Sequence, residues 1–366
     1  MIDLNGNAPF VTLHALQAFP PSLLNRDDSN AAKQIVVGGT PRVRVSSASG
    51  KRAIRTAMRA HRIDGAEYGL RTNRFPALTA EVLTDSYGRA ADVAAAKTAA
   101  VFRKLNLKAT DKGDTAVLIF GNESLPQTMA AVINQAWDEI GDDAPADTIA
   151  AAAAALDGGR AVDLALFGRM LAEIPTGRID GAVGVAHSFS VDAAAIEPDF
   201  WTAIDDAAPA GEPVSSNLGE AMVSAPILYR SASLDRRQLR RNLAGASEDA
   251  DALARAAEQS FIEWFIRAVP SAKQRASVAA TLPSVVAATL STQVLSAANA
   301  FTTPITGPDV LGAATSALLS TLDRGTDVIG EGENVILAID PAADHLVNGH
   351  TSASTIAEFT ATISAR

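Results

Sequence analysis

LHALQAFPPSLLNRDDSNAAKQIVVGGTPRVRVSSASGKRAIR, residues 13–55, reads as strand, loop, strand and helix in close succession. Residues 10–19 (FVTLHALQAF) are rich in β-branched and aromatic side chains. They stop at Pro20-Pro21, where a sheet ladder would lose its N–H donors. Loop chemistry follows in PSLLNRDDSN, and Gly38-Gly39 marks a turn. RVRV, 42–45, alternates strictly and sets two arginines on one face of a short strand. Ser46, Ser47 and Ser49 then supply candidate caps for a helix expected over 50–62. Lys51, Arg55, Arg59 and Arg62 fall near one face of that helix, while Ala53, Ile54, Ala57 and Met58 occupy much of the other side.

Outward from this stretch, 75–167 is mostly helical by composition, including the alanine tract of 148–156. TAVLIF, 115–120, fits either a strand or a buried helical segment. A strand is expected over 179–189, with glycines that allow close backbone approach. Residues 193–217 are rich in Pro, Gly and acids around Phe200-Trp201, and read as a protruding excursion. Then come a strand (221–230), an amphipathic helix (248–269), a strand (285–295), a helix (310–323) and a strand (334–339). Stripped of insertions, the order is β-α-β-β-α-β, which predicts an α+β, ferredoxin-like core of the kind RNA-recognition domains use. A helical segment follows its first helix, and the acidic excursion separates its middle strands.

Composition bounds the function classes. With 48% hydrophobic and 20% charged residues the chain can bury a core, and with no cysteine it has no disulfide or thiolate metal site. The first ten residues lack the pattern of a signal peptide, and no apolar run is long enough for a membrane span, so a cytoplasmic protein without a membrane partner is expected. A net charge of −10 argues against indiscriminate nucleic-acid binding, but the charge is distributed in blocks. Seven Lys/Arg and no acid lie in 42–62, eight acids and no Lys/Arg lie in 180–220, and five arginines recur in 230–241. Such blocks permit a basic groove for phosphates, and an acidic projection of one copy against a basic face of the next.

Catalytic motifs fail on their residues. A phosphate loop across SSASGKR would need Gly at position 45 and Ser or Thr at 52, which hold Val45 and Arg52. His345 and His350 are a weak metal pair, and His187 in an apolar strand reads as a core histidine. Asp205-Asp206 lacks a histidine partner nearby. No catalytic residue, cofactor or metal is therefore expected. What remains is the serine-capped basic helix, whose first N–H groups suit a phosphate.

Residues 13–55 also resemble the N-terminal signature of type I-E CRISPR Cascade backbone subunits, the CasC family. The resemblance resumes at VDLALFGRML (162–171), RIDGAVGVAHSFSVDAAAIEPDFWTAIDDA (178–207), 221–245, VPSAKQRA (269–276) and SAANAF (296–301). It implies an RNA-recognition-like palm with a helical fingers insertion and a thumb hairpin. On that reading 1–74 begins the palm, 75–165 is the fingers, 166–189 a palm strand region, 190–220 the thumb and 221–366 the rest. Copies would stack head to tail along a CRISPR guide RNA beside other Cascade subunits, and target DNA would be met through the guide. Arg26 and Lys33 would face the RNA, and Ser47, Ser49, Lys51, Arg52 and Arg55 would hold its phosphates. Arg169 and Met170 would sit against a kinked nucleotide, and Phe200 and Trp201 would reach the neighbouring copy. Relatives can carry a lysine-rich fingers helix against DNA, whereas 138–163 here is alanine-rich and acidic, which either removes that contact or moves it to other bases such as Arg71, Arg74 or Lys112. Two other readings compete: an endoribonuclease using His14 with a nearby Lys or Arg on guide precursor or target RNA, and a scaffold that assembles without nucleic acid.

Overall fold

The strand Phe10–Ala18 is buried along all but its two end residues, because neighbouring elements cover both of its faces. The computed structural model describes residues 8–107, 113–156, 161–170, 177–204, 206–207, 215–246 and 249–366. It divides into two compact units, one of residues 1–60, 184–234 and 258–366, the other of 61–183 and 235–257.

In the first unit Phe10–Ala18 pairs antiparallel with Val285–Ser291, Phe10 opposite Ser291 and Leu16 opposite Val285. Val285–Ser291 pairs antiparallel with Glu333–Ala338, and that strand pairs parallel with Thr351–Ala353. On the other side of Phe10–Ala18 lie, in order, Ile227–Asp235, Ser188–Ser190, Thr40–Val45 and Gln34–Val37. The fourth, first, third and second strands of the expected β-α-β-β-α-β run are thus adjacent, with edge strands added at both ends.

Several expectations need correction. QIVV, to which the sequence pattern assigns no element, is a strand and turns into Thr40–Val45 through Gly38 (φ 57°) and Gly39 (φ 79°). That two-residue turn with both φ positive suits the twist of a hairpin. A Cβ on Gly38 would also lie 1.8 Å from the Thr302 carbonyl oxygen, so the position is closed to other residues. Residues 221–223 belong to a separate hairpin, and the sheet strand begins only at Ile227, after Pro226. The basic helix runs Ser47–Ala60, so Arg62 lies beyond it and pairs with Glu123. RRQLRRNL, 236–243, is a helix, capped by the Asp235 carboxylate accepting from Arg237 N (2.9 Å) and Gln238 N (3.0 Å).

The first unit buries Leu16, Tyr229, Ala287, Phe301, Leu318 and Ile336 in one cluster. Tyr229 lies 5.0 Å from the Phe301 ring and 5.9 Å, edge on, from Phe189. Most of the buried polar atoms of His14, Tyr229, Arg42 and Arg230 are bonded within the core, whereas His14 Nε2 and Arg42 Nε find no partner among the described residues. The Tyr229 hydroxyl accepts from Ala297 N (3.2 Å) and is hydrogen-bonded to His14 Nδ1 at 2.9 Å. Arg42 is fully buried and donates to the carbonyls of Ser190 (2.7 Å) and Phe301 (3.1 Å). It therefore leaves the basic surface that RVRV suggested. Arg230 donates to Gln17 Oε1 and to the carbonyls of Phe265 (2.5 Å) and Ala268 (3.3 Å), at the end of the helix Ala250–Arg267. Burial pulls its pKa down to about 10.

The second unit packs helices Phe75–Tyr87, Ala91–Lys104, Leu125–Gln135 and Ala146–Ala155 around Phe75, Phe102, Met129 and Ile133. TAVLIF resolves as a strand at its end, Ile119–Asn122 pairing antiparallel with Gly69–Thr72. This unit is wider than 75–165 because that pairing recruits residue 69 onward. Asn242 adds residues from the far side of the sequence by donating to the carbonyls of Ala165 and Asp180, both at 2.8 Å. No described helix is long and apolar enough to cross a membrane.

Burial depresses the His14 pKa from 6.5 to about 3. The unfolded chain therefore binds a proton that the folded chain excludes, so stability is fully present above pH 6.5 and falls as pH drops toward 3. Urea titrations at pH 7.5 and pH 5 should show wild type losing about 2 kcal/mol more than His14→Gln, from 1.36 kcal/mol per pH unit. Equal losses would contradict a neutral buried ring. Arg42→Met should cost about 3 kcal/mol at neutral pH in the same assay, since two buried carbonyls lose their donor. A cost within about 0.5 kcal/mol would place Arg42 at the surface.

Candidate nucleic-acid interface

The first unit carries most of the predicted site, assembled where the LNRDD loop meets the helix Ser47–Ala60. Asn25 of that loop accepts Ser46 N through its side-chain oxygen (2.9 Å) and Lys33 N through its carbonyl (2.9 Å). Lys33 in turn accepts Arg44 N at 2.7 Å. Loop, strand and helix start are thereby pinned together, with Arg26 and Lys33 on the loop. Arg26 is exposed and donates to Asn30 Oδ1 (3.1 Å). Asp27 is occupied internally, accepting Ser29 N (2.9 Å), Ser29 Oγ (2.7 Å) and Ala31 N (3.0 Å). These bonds, with the nearby Lys33 charge, hold its carboxyl below the usual carboxylate range.

Of the three serine candidates, Ser46 is the cap, its hydroxyl accepting Ser49 N at 3.3 Å. Ser47 and Ser49 lie in the first helical turn, whose acidic content is nil. At about 100° per residue, Lys51, Arg55, Arg59 and Arg52 form one contiguous stripe beside the buried Ile54 and Met58. The adjoining face, with Ser49, Arg52, Ala53, Thr56, Ala57 and Ala60, lines a groove of about 640 Å³. Its other walls are Leu24, Asn25, Arg26, Asp27, Asn30 and residues 268–272. Arg26, Ser49 and Arg52 thus share one groove, while Lys51 and Arg55 point along the neighbouring stripe.

His187 is exposed rather than in the core, because its strand breaks into Val183–Val185 and Ser188–Ser190 around it. Its Nδ1 lies 3.0 Å from Arg44 Nη1 and 3.3 Å from Ser47 N. Both neighbours donate, so Nδ1 is the acceptor and the ring proton sits on Nε2. Spacing alone gave no sign of this contact.

Arg169 and Met170 belong to the second unit and part company. Arg169 is 5% exposed and donates to the carbonyls of Gly177 (2.7 Å) and Phe120 (3.1 Å), so its guanidinium organises backbone. Met170 is 86% exposed. Of the alternative DNA contacts, Arg74 pairs with Glu81 (3.3 Å), Arg71 lies over the Phe120 ring, and Lys112 falls outside the described residues.

The acidic excursion is a two-stranded hairpin, Glu197–Ile204 with Ser215–Val223, pairing Phe200 with Glu220 and Trp201 with Gly219. Asp205, Glu212 and the rest of 208–214 lie outside the described residues. Phe200 (64% exposed) and Leu218 (78%) share one face. Trp201 (54%) takes the other, its ring laid over Gly219 where any Cβ would meet it at 2.2 Å.

The remaining candidates do not assemble a reactive centre. His14 is fully buried. His350 is bound to Asp323, its Nε2 3.0 Å from both carboxylate oxygens, with no part for His345. Among the described residues no three His, Cys, Asp or Glu side chains group as metal ligands.

No curated protein sequence matches the chain. Among the solved structures that match it are two with coverage along nearly its whole length. A chain of a "CRISPR RNA-guided surveillance complex, pre-nicking" is 31% identical, with a TM-score of 0.83, over 97% of this chain and 99% of that one. A chain of a "CRISPR RNA-guided surveillance complex" is 27% identical, with a TM-score of 0.73, over 98% and 100%. The family model Cas_CT1975, described as CT1975-like protein, matches residues 11–361. The resemblance to Cascade backbone subunits read from the sequence therefore holds, and the chain belongs to the family of CT1975-like proteins.

Proposed function

We propose that this chain is a non-catalytic backbone subunit of a type I-E RNA-guided surveillance complex, working in the cytoplasm. Copies stack head to tail along the spacer of a guide RNA and present it for base pairing to target DNA. The observation that carries this reading is the likeness, over 97% of the chain, to a chain of such a complex. Sequence reading is delegated to the guide, so the protein needs to hold backbone and shape only.

The local chemistry supports that division of labour. Ser47, Ser49, Lys51, Arg52 and Arg55 hold phosphates, and Arg26 and Lys33 extend the contact along the strand. The sheet around Phe10–Ala18 serves as an RNA-recognition-like palm and the second unit as fingers. The hairpin serves as a thumb, with Phe200 and Trp201 reaching the next copy. Met170 meets the kinked nucleotide, and Arg169 fixes the backbone beneath it. The acidic fingers leave target DNA to be met through the guide. A His14-based nuclease is not favoured, since that ring is buried and bonded to Tyr229.

Co-expression with a repeat-spacer transcript, followed by size exclusion with absorbance-ratio detection, tests the proposal. Wild type should elute as a large RNA-containing species, and Lys51→Glu/Arg55→Glu as smaller, RNA-free protein. Trp201→Ala should shorten the assembly while leaving the thermal midpoint of the free chain near wild type, as expected for an exposed side chain. An RNA-free wild type of the same size as the charge-reversal variant would overturn the proposal.

A further inference from the structure

We infer that the turn Lys273–Val278 is a further phosphate-contact element, Lys273 and Arg275 holding a single-stranded RNA backbone beside the groove that Arg26 and Arg52 line. The inference rests on the RNA-holding reading above and adds residues to which that reading gives no role. Residues 268–272 wall the groove that Arg26 and Arg52 line, and the chain runs from that wall directly into the turn. The turn is one four-residue helix, Gln274–Ser277, with a left-handed residue at each end. Lys273 has φ 55° and Val278 φ 47°, and neither is glycine. A β-branched residue in that region is a steric outlier, and Val278 is 78% exposed, so core burial does not hold it there.

Hydrogen bonds hold the turn instead. The Lys273 carbonyl accepts Ala276 N (3.0 Å), Ser277 N (3.1 Å) and Ser277 Oγ (3.0 Å), and Gln274 Nε2 donates to the Pro270 carbonyl (2.9 Å). Lys273 and Arg275 are thereby presented outward, both exposed, and neither forms an ion pair among the described residues. The acid in the groove, Asp27, is turned to its own loop, where it accepts from Ser29 and Ala31. The groove lining thus carries two arginines to one carboxylate, and Lys273 and Arg275 follow directly on its 268–272 wall, an excess of positive charge that suits a polyanion. The groove lining has no aromatic side chain, whereas protein interfaces rest on aromatic and arginine anchors in pockets. That favours a nucleic-acid backbone over an acidic protein segment.

The test is fluorescence anisotropy of the full chain on a labelled single-stranded RNA of mixed sequence, across a salt series. Lys273→Ala/Arg275→Ala should weaken binding to any sequence and flatten the log–log salt slope by about 1.4, about 0.7 for each lost phosphate contact. Lys273→Arg should keep the wild-type slope, and thermal unfolding should be unchanged in both. If wild type binds and Lys51→Ala/Arg55→Ala weakens it, but the turn variant keeps the full slope, this inference fails and the function stands. If wild type does not bind, both fail. A turn variant with normal RNA binding but altered self-association would make the turn a protein contact and overturn the inference.

Discussion

The first unit hangs on one strand. Phe10–Ala18 is hydrogen-bonded to Val285–Ser291 on one side and to Ile227–Asp235 on the other. Partners so distant in sequence leave it no local alternative for its polar groups. His14 must find Tyr229, and Gln17 must accept from Arg230 and donate to the Thr281 carbonyl, or each is buried at a cost of about 1–3 kcal/mol. The pairing fixes where the loop after Pro20 leaves the sheet. Asn25 of that loop then fixes the start of the basic helix by accepting Ser46 N. The candidate interface is thus tied to the core through that loop.

Arginine is used in two opposite ways. Arg42, Arg169 and Arg230 turn inward and donate to backbone carbonyls, replacing what water would give those oxygens. A planar guanidinium with five donors suits that task, and it stays charged even where burial lowers its pKa. Arg26 and Arg52 turn outward on the groove, and Lys51 stands on the neighbouring stripe. A count of basic residues cannot separate these roles, so the block of positive charge over 42–62 overstates the surface available to phosphate.

The basic helix, though not its start at Ser47, the β-α-β-β-α-β order and the separate acidic segment were legible because each follows from local periodicity, composition or capping chemistry. The edge strand QIVV was missed because four residues beside a loop carry too little period. The inward turn of Arg169 was missed because its partners, Phe120 and Gly177, are set by tertiary pairing. His187 looked like a core residue since alternating apolar neighbours give no notice of a break in the strand. Lys273 and Val278 carry no glycine to announce their left-handed backbone, so only the folded chain reveals that turn. The likeness to surveillance-complex chains enters independently of all these readings, and it covers the elements that local pattern left ambiguous.

Ultraviolet crosslinking of the RNA-bound chain, with peptide mapping by mass spectrometry, tests the central claim most directly. The account predicts RNA adducts on peptides spanning 24–33 and 47–59, with none on the alanine-rich helix Ala146–Ala155 of the second unit. Adducts confined to the second unit, with 24–33 and 47–59 unlabelled, would contradict it.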